Sequence, residues 1–168
     1  MIDRHYRIGY GEDIHRLVEG RPLVLCALPI PYSKGLLGHS DADCALHAVA
    51  DAILGALALG DIGRYFPDTD PRWANVASRY LLEDVVDMMG DQGYQVENVD
   101  VTIFAEEPKL APYILAMRQK LASLLHIELD QASVKAKTNE GLDAVGQSLA
   151  IRSTAIVLLK SQSSPKVR

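Results

Sequence analysis

Apolar positions along this chain recur at two periods, and the period assigns the element. In "YQVENVDVTIFAEE", residues 94–107, apolar and polar residues alternate for much of the run, as on a half-buried strand. Tyr6 to Tyr10, Leu23 to Leu28 and "ASVKAKT", residues 132–138, are shorter β-prone runs. "SLAIRSTAIVLLK", residues 148–160, is a strand too apolar for a sheet edge. The helical period governs residues 78–92, where Leu81, Leu82, Val85, Val86 and Met89 share a face and Gly93 ends the run. It also governs about residues 41–58, an Ala/Leu-rich segment preceded by Ser40 with Asp43 three residues on, as at a capped helix start. Pro108 stands where a further helix would begin, and Tyr113 to Leu125 continues it.

Gly20 and Pro22 between the first two runs predict that these pair as a hairpin. "GDIGRYFPDTDPRWANVA", residues 60–77, is rich in Gly, Pro and Asp and predicts an irregular loop, and "NEGLDAVGQ", residues 139–147, a turn. The order β, β, α, α, β, α, β, β predicts an α+β fold, a mixed sheet with helices packed on one face. The 168 residues suit one domain over residues 1–160, with residues 161–168, polar and Pro-containing, as a flexible tail.

Composition narrows the partners. Net charge is −5 and no Lys/Arg cluster precedes the tail, so a nucleic-acid partner is not expected. The apolar run "AILGALALG" is too short to span a bilayer, so no membrane role is expected either. Cys26 and Cys44 lack metal or redox spacing and predict buried reduced thiols in a cytoplasmic protein.

Against this background "GYGEDIH", residues 9–15, is unusual, because it breaks an apolar run with Asp13 and His15 two positions apart. On a strand, both point to the same face. In the helix over residues 41–58, Asp43, His47 and Asp51 are four apart and make one polar stripe on an apolar cylinder. A lone histidine there is most often structural. With Asp13 and His15 it completes a two-His, one-carboxylate set that zinc accepts with a fourth position open, and Asp43 or Asp51 could orient it. Cys44 reads as an inert buried thiol. His39 and Ser40 stand at a loop-to-helix junction that favours an anion, and "KTNEG", residues 137–141, offers a possible phosphate and magnesium clamp.

The succession "GYGEDIH", "PIPYSKGLLGHSDADCALHA", "DAILGALALGDIGRYFPDTD", "VDVTIFAEEPKL" and "VKAKTNEGLDAVG" resembles the 2-C-methyl-D-erythritol 2,4-cyclodiphosphate synthase family of the non-mevalonate isoprenoid pathway, over about Tyr6 to Lys160. The resemblance implies a homotrimer with active sites between subunits, one zinc (Zn2+) per site, and Mg2+ or Mn2+ on the substrate diphosphate. It implies a phosphorus-oxygen lyase that cyclises 4-diphosphocytidyl-2-C-methyl-D-erythritol 2-phosphate and releases CMP. Residue by residue, it implies zinc on Asp13, His15 and His47, the second ion on Glu140, and transition-state stabilisation by His39 and Thr138. Asp61 and Gly63 match the ribose turn, Ser40, Phe66 and Asp68 the methylerythritol-phosphate pocket, and Ala105, Pro108, Lys109 and Ala111 the cytosine segment. Asp13, His15, His39, Lys137, Thr138 and Glu140 also match substrate-contacting positions.

Two departures concern a cavity on the trimer axis that holds an isoprenoid diphosphate in some members. Glu12 stands where the family often has an aromatic residue, and Gln147 replaces an arginine. Both changes remove features that would hold such a ligand, so weak or no binding is expected there.

Overall fold

The computed structural model describes residues 5–162. Its strands and helices follow one another as β1 (Tyr6–Glu19), β2 (Leu23–Leu25), β3 (Leu28–Ile30), β4 (Lys34–Leu36), α1 (Cys44–Ala56), α2 (Ile62–Tyr65), α3 (Ser78–Asp91), β5 (Tyr94–Phe104), α4 (Ile114–Leu125), β6 (Ala132–Lys137), α5 (Asp143–Gly146) and β7 (Ala150–Ser161). Five strands form a mixed sheet in the order β4-β1-β7-β5-β6, parallel only between β5 and β6, which α4 connects. The expected α+β layer fold is therefore present.

The predicted hairpin is not. β1 runs to Glu19 and pairs with β7, from Tyr6 opposite Lys160 to Arg16 opposite Ala150, while Leu17 to Glu19 pair with β4. β2 pairs instead with β3, because Cys26 and Ala27 adopt left-handed φ values of 51° and 58° and fold the run Leu23 to Leu28 back on itself. Asp43 holds that turn: its carboxylate accepts the N–H groups of Cys26 and Ala27 at 3.0 and 2.7 Å, and that of Leu46 at 3.1 Å. Asp43, and not Ser40, thus caps α1, which begins three residues later than the sequence pattern suggests. A buried carboxylate meeting three backbone donors outcompetes the serine cap.

β7 lies between β1 and β5, as its apolar sequence predicts. Its inward residues Ile151, Ser153, Ala155, Val157 and Leu159 are buried, and α1 lies across them and across β1. Helix α1 is buried nearly all round, since α3 packs on its other side. Gly9 and Gly11 make this approach possible: a β-carbon on either would lie 1.8 or 2.0 Å from the carbonyl oxygen of Ala52 or Ala48. The opposite face of the sheet carries Tyr6, Ile8, Tyr10, Ile14 and Ile156, of which Ile8 is 72% exposed.

Residues 60–77 are more ordered than a plain loop. Asp61 caps the short helix α2 through the Arg64 N–H, and Asp70 caps a 3-10 turn over Pro71–Trp73. Ser161, the expected start of the flexible tail, belongs to β7, and the Gln162 N–H donates to the Gly93 carbonyl at 2.8 Å; residues 163–168 lie outside those described. No helix among the described residues is long and apolar enough to cross a membrane.

Candidate metal centre and its cleft

Alternation along β1 turns Asp13 and His15 toward the helical layer, and the first turn of α1 turns His47 back toward β1. Three donor atoms meet there. Asp13 Oδ2 is 2.9 Å from His15 Nε2 and 2.8 Å from His47 Nδ1, and the two nitrogens are 3.3 Å apart. Tetrahedral zinc with bonds of about 2.0–2.1 Å needs ligand atoms separated by about 3.3 Å, close to this triangle. The donor set therefore fits a zinc ion. Among the described residues, these three make the group of His, Cys, Asp and Glu able to hold one.

Each donor is prepared by its neighbours. His15 Nδ1 donates to the Leu37 carbonyl at 2.8 Å, which leaves Nε2 free to bind a cation. His47 Nε2 contacts Ser78 Oγ at 2.8 Å and Ser40 Oγ at 3.3 Å. Burial opposes ionisation of Asp13, but the adjacent His15 and His47 rings outweigh it and hold the carboxyl well below the usual carboxylate range. Burial also opposes a charged His15, yet Asp13 and the Leu37 carbonyl raise its value above that of a free imidazole. The carboxylate is thus ready to bind a cation at neutral pH.

The triangle opens on a cleft of about 570 Å3 lined by Asp13, His15, His39, Ser40, His47, Gly63, Phe66 and Asp68, together with Trp73 and Leu81. Asp61, at the cap of α2, adjoins Ile62 and Gly63 of that lining. His39 Nε2 donates to the Asp70 carbonyl at 3.1 Å, and the Asn75 N–H donates to the His39 carbonyl at 2.7 Å, so the two loops brace one another. Phe66 and Trp73 meet edge to face at 5.0 Å and form the apolar wall.

The remaining candidates are elsewhere. Ala105, Pro108, Lys109, Ala111, Thr138 and Glu140 follow the ends of β5 and β6, Lys137 is the last residue of β6, and none of them lines the cleft. There the Ala105 N–H donates to the Lys137 carbonyl at 2.9 Å, Thr138 Oγ1 donates to Glu140 at 3.3 Å, and the Asn139 N–H donates to Glu106. β7 stands between β1 and β5 and separates the two groups within one chain.

Two expectations about the surroundings of His47 are corrected. Asp43 is occupied by its three backbone donors, and Asp51 accepts the Ile62 N–H at 2.8 Å, tying α2 to α1, so neither carboxylate orients the imidazole. Ser78 and Ser40 are the hydroxyls against its Nε2, with Asp41 behind Ser78, and sequence reasoning missed Ser78 and Asp41 because nothing local links the start of α3 to residue 47. Burial pushes the Cys44 thiol up, with its sulfur 3.2 Å from Ser153 Oγ, as expected of an inert group. On the outer sheet face Glu12 accepts from Tyr10 at 2.5 Å and lies 3.5 Å from Arg152, a cation that the sequence argument about that face did not count.

The sequence profile of the YgbB family matches residues 6–160. The 2-C-methyl-D-erythritol 2,4-cyclodiphosphate synthase of Gloeobacter violaceus is 56% identical over 154 residues, 92% of this chain and 94% of that protein. Among solved structures, the bifunctional IspDF from Campylobacter jejuni superposes with a TM-score of 0.89 at 37% identity, covering 93% of this chain and 42% of that longer one. A 2C-methyl-D-erythritol-2,4-cyclodiphosphate synthase in its CDP-bound form superposes with a TM-score of 0.85 at 44% identity, covering 92% of this chain and all of that one (100%).

Proposed function

The chain belongs to the YgbB family, and on that premise we propose that it converts 4-diphosphocytidyl-2-C-methyl-D-erythritol 2-phosphate to the 2,4-cyclodiphosphate with release of CMP, as a metal-dependent phosphorus-oxygen lyase. The observation that carries the reading is the convergence of Asp13, His15 and His47 at the mouth of a cleft whose other wall is the "GDIGRYFPD" segment. A CDP-bound relative of the same fold supports a cytidine diphosphate ligand.

In the reaction, an oxygen of the substrate 2-phosphate attacks the β-phosphorus. A new P–O bond closes the ring, the bond from the β-phosphorus to the bridging oxygen breaks, and its electron pair leaves with CMP. The attacking oxygen is already anionic, so no strong base is needed. The barrier is repulsion between phosphates and the alignment of attacking oxygen, phosphorus and leaving oxygen. Zinc on Asp13, His15 and His47, and Mg2+ or Mn2+ with Glu140, would supply the neutralising positive charge. His39 and Thr138 donate hydrogen bonds to the phosphoryl oxygens as charge develops, and Lys137 adds a cation beside Thr138. Ser40, Phe66 and Asp68 hold the methylerythritol phosphate, Asp61 and Gly63 the ribose, and Ala105, Pro108, Lys109 and Ala111 the cytosine.

The two residue groups lie apart within one chain, so we assign the complete site to a homotrimer, in which one protomer's cleft meets the β5–β6 end of its neighbour. The exposed Tyr6, Ile8, Tyr10, Ile14 and Ile156 give such an assembly an apolar face to bury. The free, buried Cys26 and Cys44 support a reducing, cytoplasmic setting.

Phosphorus NMR on protein incubated with the cytidylated substrate tests the reading. A cyclic diphosphate and CMP are expected. Simple hydrolysis products would make the protein a phosphohydrolase using the same metal ligands, and unchanged substrate would remove the enzymatic reading.

A further inference from the structure

We propose that Ser78 and Asp41 form a positioning pair for His47, holding its ring in the one form that leaves Nδ1 to bind the cation; this rests on reading Asp13, His15 and His47 as a metal site. The direction of each hydrogen bond follows from what each group is able to do. Ser78 Oγ is in short contact with Asp41 Oδ1, and a carboxylate only accepts, so Ser78 donates to it. A hydroxyl has one proton. Toward His47 Nε2, 2.8 Å away, Ser78 Oγ is therefore left to accept, and Nε2 carries the proton. Nδ1 is then the nitrogen turned to the point shared by Asp13 Oδ2 at 2.8 Å and His15 Nε2 at 3.3 Å.

Three further observations support a dedicated role. Ser78 is the first residue of α3, one position inside the N-cap Ala77. Its hydroxyl lies between His47 and Asp41, with Ser40 Oγ a third neighbour at 3.2 Å. Ser78 is 1% exposed and His47 8% exposed, so water does not readily substitute for the relay. Asp41 is itself held, because its backbone N–H donates to the Val76 carbonyl at 3.1 Å and one carboxylate oxygen accepts the Asp43 N–H at 3.2 Å. His15 reaches the complementary form through the Leu37 carbonyl on its other nitrogen. The two ligand imidazoles are thus fixed in opposite tautomers by unrelated partners, one a backbone carbonyl and the other a serine backed by a carboxylate. A partner of this kind orients the ring and raises its basicity toward a metal.

The test measures zinc affinity of the full chain by competition with a chromophoric chelator, alongside thermal melting of the metal-free protein. Ser78→Ala is expected to weaken zinc binding about 10–100-fold, the usual cost of losing such a partner, with the fold retained. Ser78→Thr restores the hydroxyl and is expected to return affinity to within about threefold of wild type, whereas Asp41→Asn weakens it several-fold. Unchanged affinity in Ser78→Ala would overturn the inference. So would a Thr variant as weak as the Ala variant, which would assign the effect to packing. If Ser78→Ala does not fold, Asp41→Asn decides: wild-type affinity there overturns the relay. Wild-type protein that takes up no zinc would overturn the metal reading and this inference with it.

Discussion

Gly11 and Ala48 stand so close that a β-carbon on Gly11 would lie 2.0 Å from the Ala48 carbonyl oxygen. That approach sets the candidate metal centre, because Asp13 follows Gly11 by two positions on the same face of β1 and His47 immediately precedes Ala48 in α1. We expect Gly11→Ala to push α1 off the sheet at a cost of about 1–3 kcal/mol or more. The melting temperature of the variant should fall by several degrees and its zinc affinity should drop with it. A variant that melts and binds zinc like wild type would mean that α1 can shift without disturbing the donor triangle.

His47→Ala should remove most bound zinc and nearly all cyclisation while the chain stays folded, since one of three converging donors is lost. Elemental analysis of the purified variant checks it. Full zinc occupancy would take His47 out of the ligand set.

Thr138→Ala should lower kcat far more than it raises KM. A hydroxyl aimed at developing phosphoryl charge acts mainly in the transition state, and losing one such donor typically costs ~10²–10³ in rate. Steady-state kinetics with the cytidylated substrate separate the two parameters. A change confined to KM would make Thr138 a binding residue only.

The proposed sharing of the site between protomers has a direct consequence for mixtures. His47→Ala and Thr138→Ala proteins, each nearly inactive alone, should recover activity when dissociated and reassembled together, because some interfaces then pair an intact triad with an intact Thr138. Sedimentation should show a trimer, and Ile8→Glu should dissociate it with loss of activity, since Ile8 is the most exposed large apolar residue of the outer sheet face. Absence of complementation in mixed trimers, or an active monomer, would place the whole site in one chain.

Asp43 provides a pH test independent of the metal. Burial pushes its carboxyl up to about 6 from a usual value of 3.8, against the backbone donors that favour its charged form. Between those values the folded protein keeps a proton that the unfolded chain has released. The contribution of Asp43 to stability is therefore fullest below about 4 and declines as pH rises through about 6, by at most about 3 kcal/mol. Denaturant unfolding of metal-free wild type and Asp43→Asn between pH 4 and about 7 should show the difference moving in the variant's favour as pH rises. A difference that does not change with pH would mean that the three N–H groups keep Asp43 ionised throughout.

Local order was legible where it depends on neighbouring residues only. The helical period of residues 78–92 became α3 nearly at the expected bounds, and the alternation that begins at Tyr94 became β5, which ends at Phe104, three residues before the alternating segment does. The apolar pattern of β1 extends only over Tyr6 to Tyr10, because Asp13, His15 and Arg16 interrupt it. Two of those residues, Asp13 and His15, are the candidate metal ligands, and pairing with β7 continues the strand through all three.

By itself, the sequence determined that Asp13 and His15 share a face and that His47 lies on a buried helix. Two-residue and 3.6-residue periods follow from backbone geometry alone. Only the tertiary structure decided that β1 pairs with β7 rather than β2, that Asp43 caps α1 and its neighbouring turn, and that Ser78 and Asp41 stand behind His47. Each of these contacts joins residues that no local period relates, and each is selected by burial and hydrogen-bond satisfaction across the whole core.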